Sequence, residues 1–455
     1  MKILHTSSPE KELARFLRGA SDGAFTFDFV QYYLPGASSV RLLAVLNRAE
    51  DGAPIALVSD RVSEGIAFLE RQAADTGSRQ ELSALLEAPW IALAGVWKLA
   101  PVNIPKPWGQ EIWYTGIEAR GQSHVGDGTC SLPLPWLLAL DSDLLLMPGC
   151  REPNLLKILD PLPEEVFGDL YFELHEEKRE VYVVSNVSRE AWPDGTGAIR
   201  YGFDPQVRAS YGDDAAFRRA FLAAVQAYEE VRRQIDARVD RLRQRDGMAL
   251  DQPVDAPTLK RWLAELPAEL HAREQAAREA MNAFTHMVPL QTGDVVKVAT
   301  LTPHALQHGV RTVEFQTPVY ERKILSFAQK VLTQSHWDTE EAVQLMSLEP
   351  GSVETLPVLE ESEGHRREQV VRFEDFVVYR LTLMPGASYP IEDSGTYRVL
   401  FAVTPGLAVK SLELAPEEAV LIPATATRVT LHNLRKTPVV CLISVPVSGA
   451  AVGCP

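Results

Sequence analysis

The sequence predicts a mainly β chain with a helical insertion, its strands in two antiparallel barrel-type blocks behind a small N-terminal α+β domain. Three observations point there. Short apolar strands broken by Pro and Gly run from Pro101 to Val184 and again after His304. Between them lies a long stripe of apolar residues at helical spacing, and a cluster of Glu and His residues sits where two strands meet. A chain of 455 residues is long enough for about three domains of ~150 residues, each with its own core.

Residues 1–100 read as a separate α+β domain. Ala24–Tyr33, Val40–Leu46 and Pro54–Val58 are strand-like, and Val62–Ala73 and Arg79–Glu87 are helix-like. This block is either a packing or dimerisation appendage or a regulatory, ligand-binding module. The first barrel takes residues 101–208 and 287–345, with strands expected at Leu137–Leu140 and Asp143–Met147.

Residues 209–286 form the inserted helical domain. Phe217, Phe221, Val225, Tyr228, Val231, Ile235, Val239 and Leu242 recur at three and four residues, which predicts an amphipathic helix over Arg208–Arg245. Asp255-Ala256-Pro257 places Pro in the first turn of a second helix through Leu259, Leu263, Leu266 and Leu270, with a break near Pro267. These stripes are read as core rather than cofactor contacts. Residues 365–449 return to an all-β pattern, with strands at Gln369–Phe373, Phe376–Met384, Tyr397–Val403, Val420–Ile422, Arg428–Leu431 and Val439–Val445.

The chemistry concentrates in Glu173-Leu174-His175-Glu176-Glu177-Lys178-Arg179-Glu180. Alternate side chains on a strand share a face, so Tyr171, Glu173 and His175 project together while Phe172 and Leu174 face the core. Glu180 opens the strand Val181–Val184, and a hairpin is expected to fold it beside the first. Carboxylate, imidazole and carboxylate then reach one divalent ion, a donor set suited to zinc, manganese or iron. A Gly293-Asp294 turn, a strand over Val295–Val298 and a Pro303-led turn bring His304 forward as fourth ligand, ahead of a strand at Thr312–Gln316.

This combination resembles the cupin metal site of type I mannose-6-phosphate isomerases. The resemblance rests on His175, the Lys178-x-Glu180 strand start and the late Gly293-Asp294 and Pro303-His304-Ala305 turns followed by Val313-Glu314. Lys106-Pro107-Trp108-Gly109 resembles the Pro-Trp-Gly segment of sugar-phosphate cupins, and larger members carry a comparable helical insertion. The match spans roughly residues 104 to 335, with a weaker echo towards the C-terminus.

The resemblance implies two cupin (jelly-roll) barrels, the second degenerate because Tyr389, Ile391 and Glu392 stand where a His pair is expected. It implies a divalent metal, zinc first, held by Glu173, His175, Glu180 and His304. The implied reaction is aldose–ketose isomerisation of a phosphorylated hexose through an enediolate held by the metal. Glu314 would serve as the base or as a salt-bridge partner of Arg322, with Lys178 and Arg322 on the phosphate or offsetting charge. Trp108 is read as a core anchor. The chain departs from the family pattern at Glu173, usually Gln, at Glu176, usually Pro, and in the short Glu176–Arg179 turn. Those departures keep two other readings open: a non-catalytic sugar or sugar-phosphate sensor, and epimerase or oxygenase chemistry on the same fold.

A formal charge of −16 argues against nucleic-acid binding, which draws affinity from clustered Lys and Arg. Cys130, Cys150, Cys441 and Cys454 show no metal or disulfide spacing. Met1–Glu10 lacks a signal-peptide core and no apolar run reaches the ~20 residues of a membrane span, so a cytoplasmic location and no membrane partner are expected. Nothing in the pattern indicates an oligomeric state.

Overall fold

The computed structural model describes residues 3–71, 76–126 and 129–447. The chain divides into two interleaved compact units, one of residues 1–102, 113–157 and 356–455 and one of residues 103–112 and 158–355. Residues 113–157, expected inside the first barrel, therefore belong with the N- and C-terminal segments.

In the first unit, strands Leu4–His5, Gly23–Val30, Ser39–Arg48, Pro54–Ser59 and Ile91–Ala92 form one sheet in that order. Gly23–Val30 and Ser39–Arg48 pair as an antiparallel hairpin with Phe25 opposite Ala44. Helices Val62–Arg71 and Thr76–Leu86 agree with the expected helical stretches, Ala73 lying outside the described residues. The helix Pro9–Leu17 was not foreseen, although Pro stands in its first turn.

The C-terminal part of this unit is a nine-stranded sheet that includes Phe376–Leu383, Arg398–Ala402, Ala419–Ile422 and Val439–Pro446. A four-stranded sheet of Ser388–Pro390, Thr430–Asn433, Leu407–Val409 and Leu412–Leu414 accompanies it. Leu381, Leu400, Ile422, Val409 and Leu431 from the two sheets share one core. The segments expected as strands at Leu137–Leu140 and Asp143–Met147 are instead short helices, Leu134–Leu138 and Ser142–Leu145. Pro in the first turn of one and the Asp141 carboxylate accepting Leu144 N–H in the other start helices, and runs this short carry no decisive period.

The second unit holds the candidate site. One sheet has the order Val295–Val298, Glu180–Val187, Val310–Gln316, Leu155–Pro161, Gly109–Trp113, Val102–Lys106. The other runs Thr285–Leu290, Gly197–Phe203, His304–Leu306, Phe172–Leu174, Lys323–Ser326. Phe172–Leu174 and Glu180–Val187 thus lie in different sheets, and the expected hairpin between them does not form. A four-residue turn serves a crossing between sheets as readily as a hairpin, because alternation says which face a side chain takes but not which strand comes next.

The insertion is helical as expected: Asp214–Arg245, Ala256–Ala264 and Ala268–Asn282, with the break at Pro267. Asp213 and Asp255 cap the first two by accepting Ala216 N–H and Thr258 N–H. The stripe is core: Phe217, Phe221, Val225 and Tyr228 are buried. Phe221 meets Phe172 at 6.4 Å and Phe203 at 5.0 Å between ring centroids. Phe172 therefore faces the helices, and Glu173, the next residue on the strand, turns the other way.

Candidate metal centre

Strand register brings the distant donors together. Glu173 pairs with His304 across adjacent antiparallel strands, and directly opposed residues share a face of the sheet. His175 follows one step beyond the strand end. The turn 176–179 then crosses to the other sheet, where Glu180 starts its strand. Leu301, at φ 61°, donates its N–H to the carbonyl of His175 at 2.7 Å and so ties the two histidine segments together. A left-handed non-glycine residue persists where its surroundings hold it.

The donor atoms converge. One ligand atom each from Glu173, His175 and His304 lie within 4.8 Å of one another, and among the described residues this is the one such group of His, Cys, Asp and Glu. Glu180 Oε2 lies 3.4 Å from Nε2 of His175 and 3.4 Å from Nε2 of His304. Glu173 Oε1 is 4.0 Å from His175 Nε2. The edge of a tetrahedron with ~2.0–2.1 Å bonds is ~3.3–3.4 Å, which the two Glu180 separations match and the Glu173 separation exceeds.

Each histidine is held at one ring nitrogen. His175 Nδ1 lies 3.0 Å from the Glu321 carbonyl and His304 Nδ1 3.0 Å from the Thr302 carbonyl. A carbonyl only accepts, so each Nδ1 carries a hydrogen, which leaves Nε2 as the nitrogen free to take a cation. Both Nε2 atoms are buried without a hydrogen-bond partner. Buried polar atoms are normally satisfied, and two such orphans beside two carboxylates fit a bound cation.

Charge is balanced around the donors. Lys178 Nζ sits 2.5 Å from Glu180 Oε1, and the Tyr182 hydroxyl donates to Glu180 Oε2 at 3.0 Å. Arg322 Nη1 lies 3.4 Å from Glu173 Oε2, its Nη2 donates to Thr333 at 2.9 Å, and its guanidinium stands 4.4 Å over the Tyr171 ring. Burial pushes the Glu173 carboxyl up, but Arg322, His175 and Lys178 together hold it below its ordinary value. The same opposition leaves Glu180 well below the carboxylate range, with His175 and Lys178 outweighing burial. Burial draws His175 below the usual imidazole value, against the opposing pull of Glu180. Burial with Glu180 and Glu314 nearby drives the Tyr182 phenol far up, so it stays a donor.

Glu314 is buried on the strand Val310–Gln316 directly opposite Tyr182, on the face shared with Glu180. The partner that the structure assigns to Arg322 is Glu173. Trp108 belongs to the core, 1% exposed. Three groups escaped the sequence reading. Tyr182 stands two residues after Glu180, so strand alternation contained the signal. The Lys106–Glu111 pair, 3.1 Å apart, brackets the quoted Pro-Trp-Gly stretch. Glu321 carried no local signal. Its carboxylate accepts the backbone N–H groups of Glu176, Glu177 and Lys178, each at 3.0 Å.

No family model and no curated relative matches this sequence. Solved structures do match it in fold. Mannose 6-phosphate isomerase from Bacillus subtilis superposes with a TM-score of 0.52 at 13% identity, covering 77% of this chain and 99% of that one. A zinc-bound holo mannose 6-phosphate isomerase gives 0.50 at 14% identity over 78% and 99%. A mutant phosphomannose isomerase from Salmonella typhimurium gives the same three values and 99% of its length. The chain is thus a β-rich protein with a mannose-6-phosphate-isomerase-like cupin fold and a candidate metal site. Among the described residues no helix is long and apolar enough to cross a membrane.

Proposed function

We propose that the protein is a metal-dependent aldose–ketose isomerase acting on a phosphorylated hexose. What supports this reading is the pair of orphaned, buried imidazole nitrogens, each 3.4 Å from the Glu180 carboxylate, with Glu173 4.0 Å from His175. Glu173, His175, Glu180 and His304 would hold the ion, zinc being first choice for a site of two nitrogens and two oxygens. Bound there, it supplies a Lewis acid that polarises a carbonyl and stabilises enediolate charge.

The side chains supply the rest. Glu173 and Glu180 against Lys178 and Arg322 sum to zero, and Glu314 brings the count to minus one. A divalent ion then leaves the pocket positive, which suits an anionic sugar phosphate within an acidic protein. Glu314, buried beside Tyr182, is the base that moves a proton between neighbouring carbons, a role worth ~10²- to ~10⁴-fold in rate. Arg322 and Lys178 first serve the carboxylates, and bound phosphate would compete for their free donors. Because both cations already have carboxylate partners, a non-catalytic sugar-phosphate sensor is the second reading.

The test measures metal content and hexose-phosphate isomerase activity in wild type and His304→Ala. The proposal expects about one zinc per chain and loss of both in the variant. Activity that persists in fully chelated wild-type protein sinks it, and saturable sugar-phosphate binding without turnover transfers support to the sensor.

A further inference from the structure

The C-terminal pair of sheets buries a cation at the place where the other pair carries Glu180. Glu180 opens a strand flanked by Val295–Val298 and Val310–Gln316, with Val298, the last residue of its neighbour, directly opposite. Arg398 opens a strand flanked in the same way by Ala419–Ile422 and Val439–Pro446, with Ile422, again the last residue, opposite. Each of the two follows a short strand of the other sheet, Phe172–Leu174 in one case and Ser388–Pro390 in the second. Arg398 thus holds among its sheets the register position that Glu180 holds among the candidate metal donors.

Its surroundings are apolar. Opposed and alternate residues of a sheet share a face, so Arg398 lies with Ile422 and Leu400, both core residues. Arg398 is 1% exposed, and its Nη1 donates to the Thr396 carbonyl at 2.7 Å. Its Nε and Nη2 are buried without a hydrogen-bond partner. Asp393 faces the guanidinium 3.8 Å from Nη2, beyond hydrogen-bond reach. That carboxylate is half exposed and accepts the Arg428 N–H at 3.2 and 3.5 Å. Burial accordingly draws the Arg398 guanidinium below its ordinary value despite Asp393.

The Nε–H and one N–H of Nη2 leave a guanidinium along the same edge, side by side, and match two oxygens of one oxyanion. The chain uses that edge elsewhere. Arg41 gives Nε and Nη2 to the two oxygens of Asp28 at 2.8 and 3.1 Å, and Arg208 gives the same pair to Asp214 at 2.9 and 3.1 Å. At Arg398 the edge has no acceptor among the described residues, and a buried charge with unmet donors is costly. We propose that Arg398 anchors a binding site for an oxyanion, the phosphate or carboxylate group of a small ligand, which accepts Nε–H and Nη2–H together. The exposed residues 392–395 form its entrance, and Asp393 gives way to the guest. The site does not rest on the isomerase reading.

Calorimetric titration of the full chain with inorganic phosphate and with acetate, at constant ionic strength and in the presence of chelator, tests it, chloride serving as a charge control. The expected result is saturable oxyanion binding, absent for chloride and weakened at least about tenfold by Arg398→Met. An ion held at Lys178 or Arg322 would survive that substitution. Phosphate bound more tightly than acetate points to a phosphorylated ligand, and the reverse to a carboxylic acid. Absence of saturable binding of either, or equal affinity in the variant, overturns the proposal. Should Arg398→Met unfold by circular dichroism, Asp393→Asn keeps the guanidinium and an acceptor for Arg428 while removing the competing charge. Oxyanion affinity must then rise several-fold, and unchanged affinity overturns the proposal equally.

Discussion

Glu321 holds His175 by its main chain and the residues after it by its side chain. Its carbonyl accepts the His175 Nδ1–H at 3.0 Å while its carboxylate gathers three successive backbone N–H groups. A metal-binding histidine needs its second nitrogen fixed, and a turn of charged residues needs its amides satisfied. One residue meets both needs.

Glu321→Ala keeps the carbonyl that holds His175 but strips the amides of Glu176, Glu177 and Lys178 of their acceptor, loosening the turn between His175 and Glu180, so metal affinity is expected to fall about tenfold. Glu321→Gln, which keeps an acceptor oxygen, recovers most of it. Competition titration with a chromophoric zinc chelator measures both, and identical affinities in all three proteins would refute the role.

Glu173→Gln removes the carboxylate that faces Arg322 without changing shape. Arg322 keeps Thr333 and the Tyr171 ring, so the cost in stability is about 1–3 kcal/mol rather than that of a fully buried orphan charge. Urea unfolding reads the stability, and zinc titration reads the weaker affinity expected of a neutral ligand. Adding Arg322→Met should recover stability, and failure to recover it would dissociate the two residues.

Phe221→Ala empties the junction between the insertion and the sheet, where rings of Phe172, Phe203 and Phe284 meet it. The expected loss is about 3–5 kcal/mol. Denaturant unfolding checks it, and a loss of a few tenths would mean the helices contribute little to this core.

Glu152 offers a pH test remote from the metal. Burial pushes its carboxyl up to about 7, against smaller opposing effects of the Tyr32 hydroxyl and Arg151. The folded state then holds a proton that the unfolded chain, titrating near 4.5, has already lost, so stability falls as pH rises from about 4.5 to about 7 and levels above it. Glu152→Gln should flatten that part of a melting-temperature profile. A wild-type profile no steeper than the variant's would contradict the assignment.

The donor types were legible because their signals are local. Strand alternation sets Glu173 apart from Phe172 and Leu174, and the helical stripe from Phe217 onward announces a buried face. Runs such as Leu137–Leu140 were not legible, since a short apolar stretch fits helix and strand equally. The path after His175 was also hidden: a hairpin and a crossing between sheets use the same turn residues.

By itself the sequence determined which Glu and His side chains stand near one another, which face of each strand they take, and that long helices interrupt a β-rich chain. These follow from residue chemistry and from periods of two and 3.6. Only the tertiary structure decided that Glu173 stands opposite His304, that Glu180 meets both histidines from another sheet, and that Glu321 anchors their turn. Such contacts join residues far apart in the chain, where no local period reaches and only the packing of the sheets sets the distance.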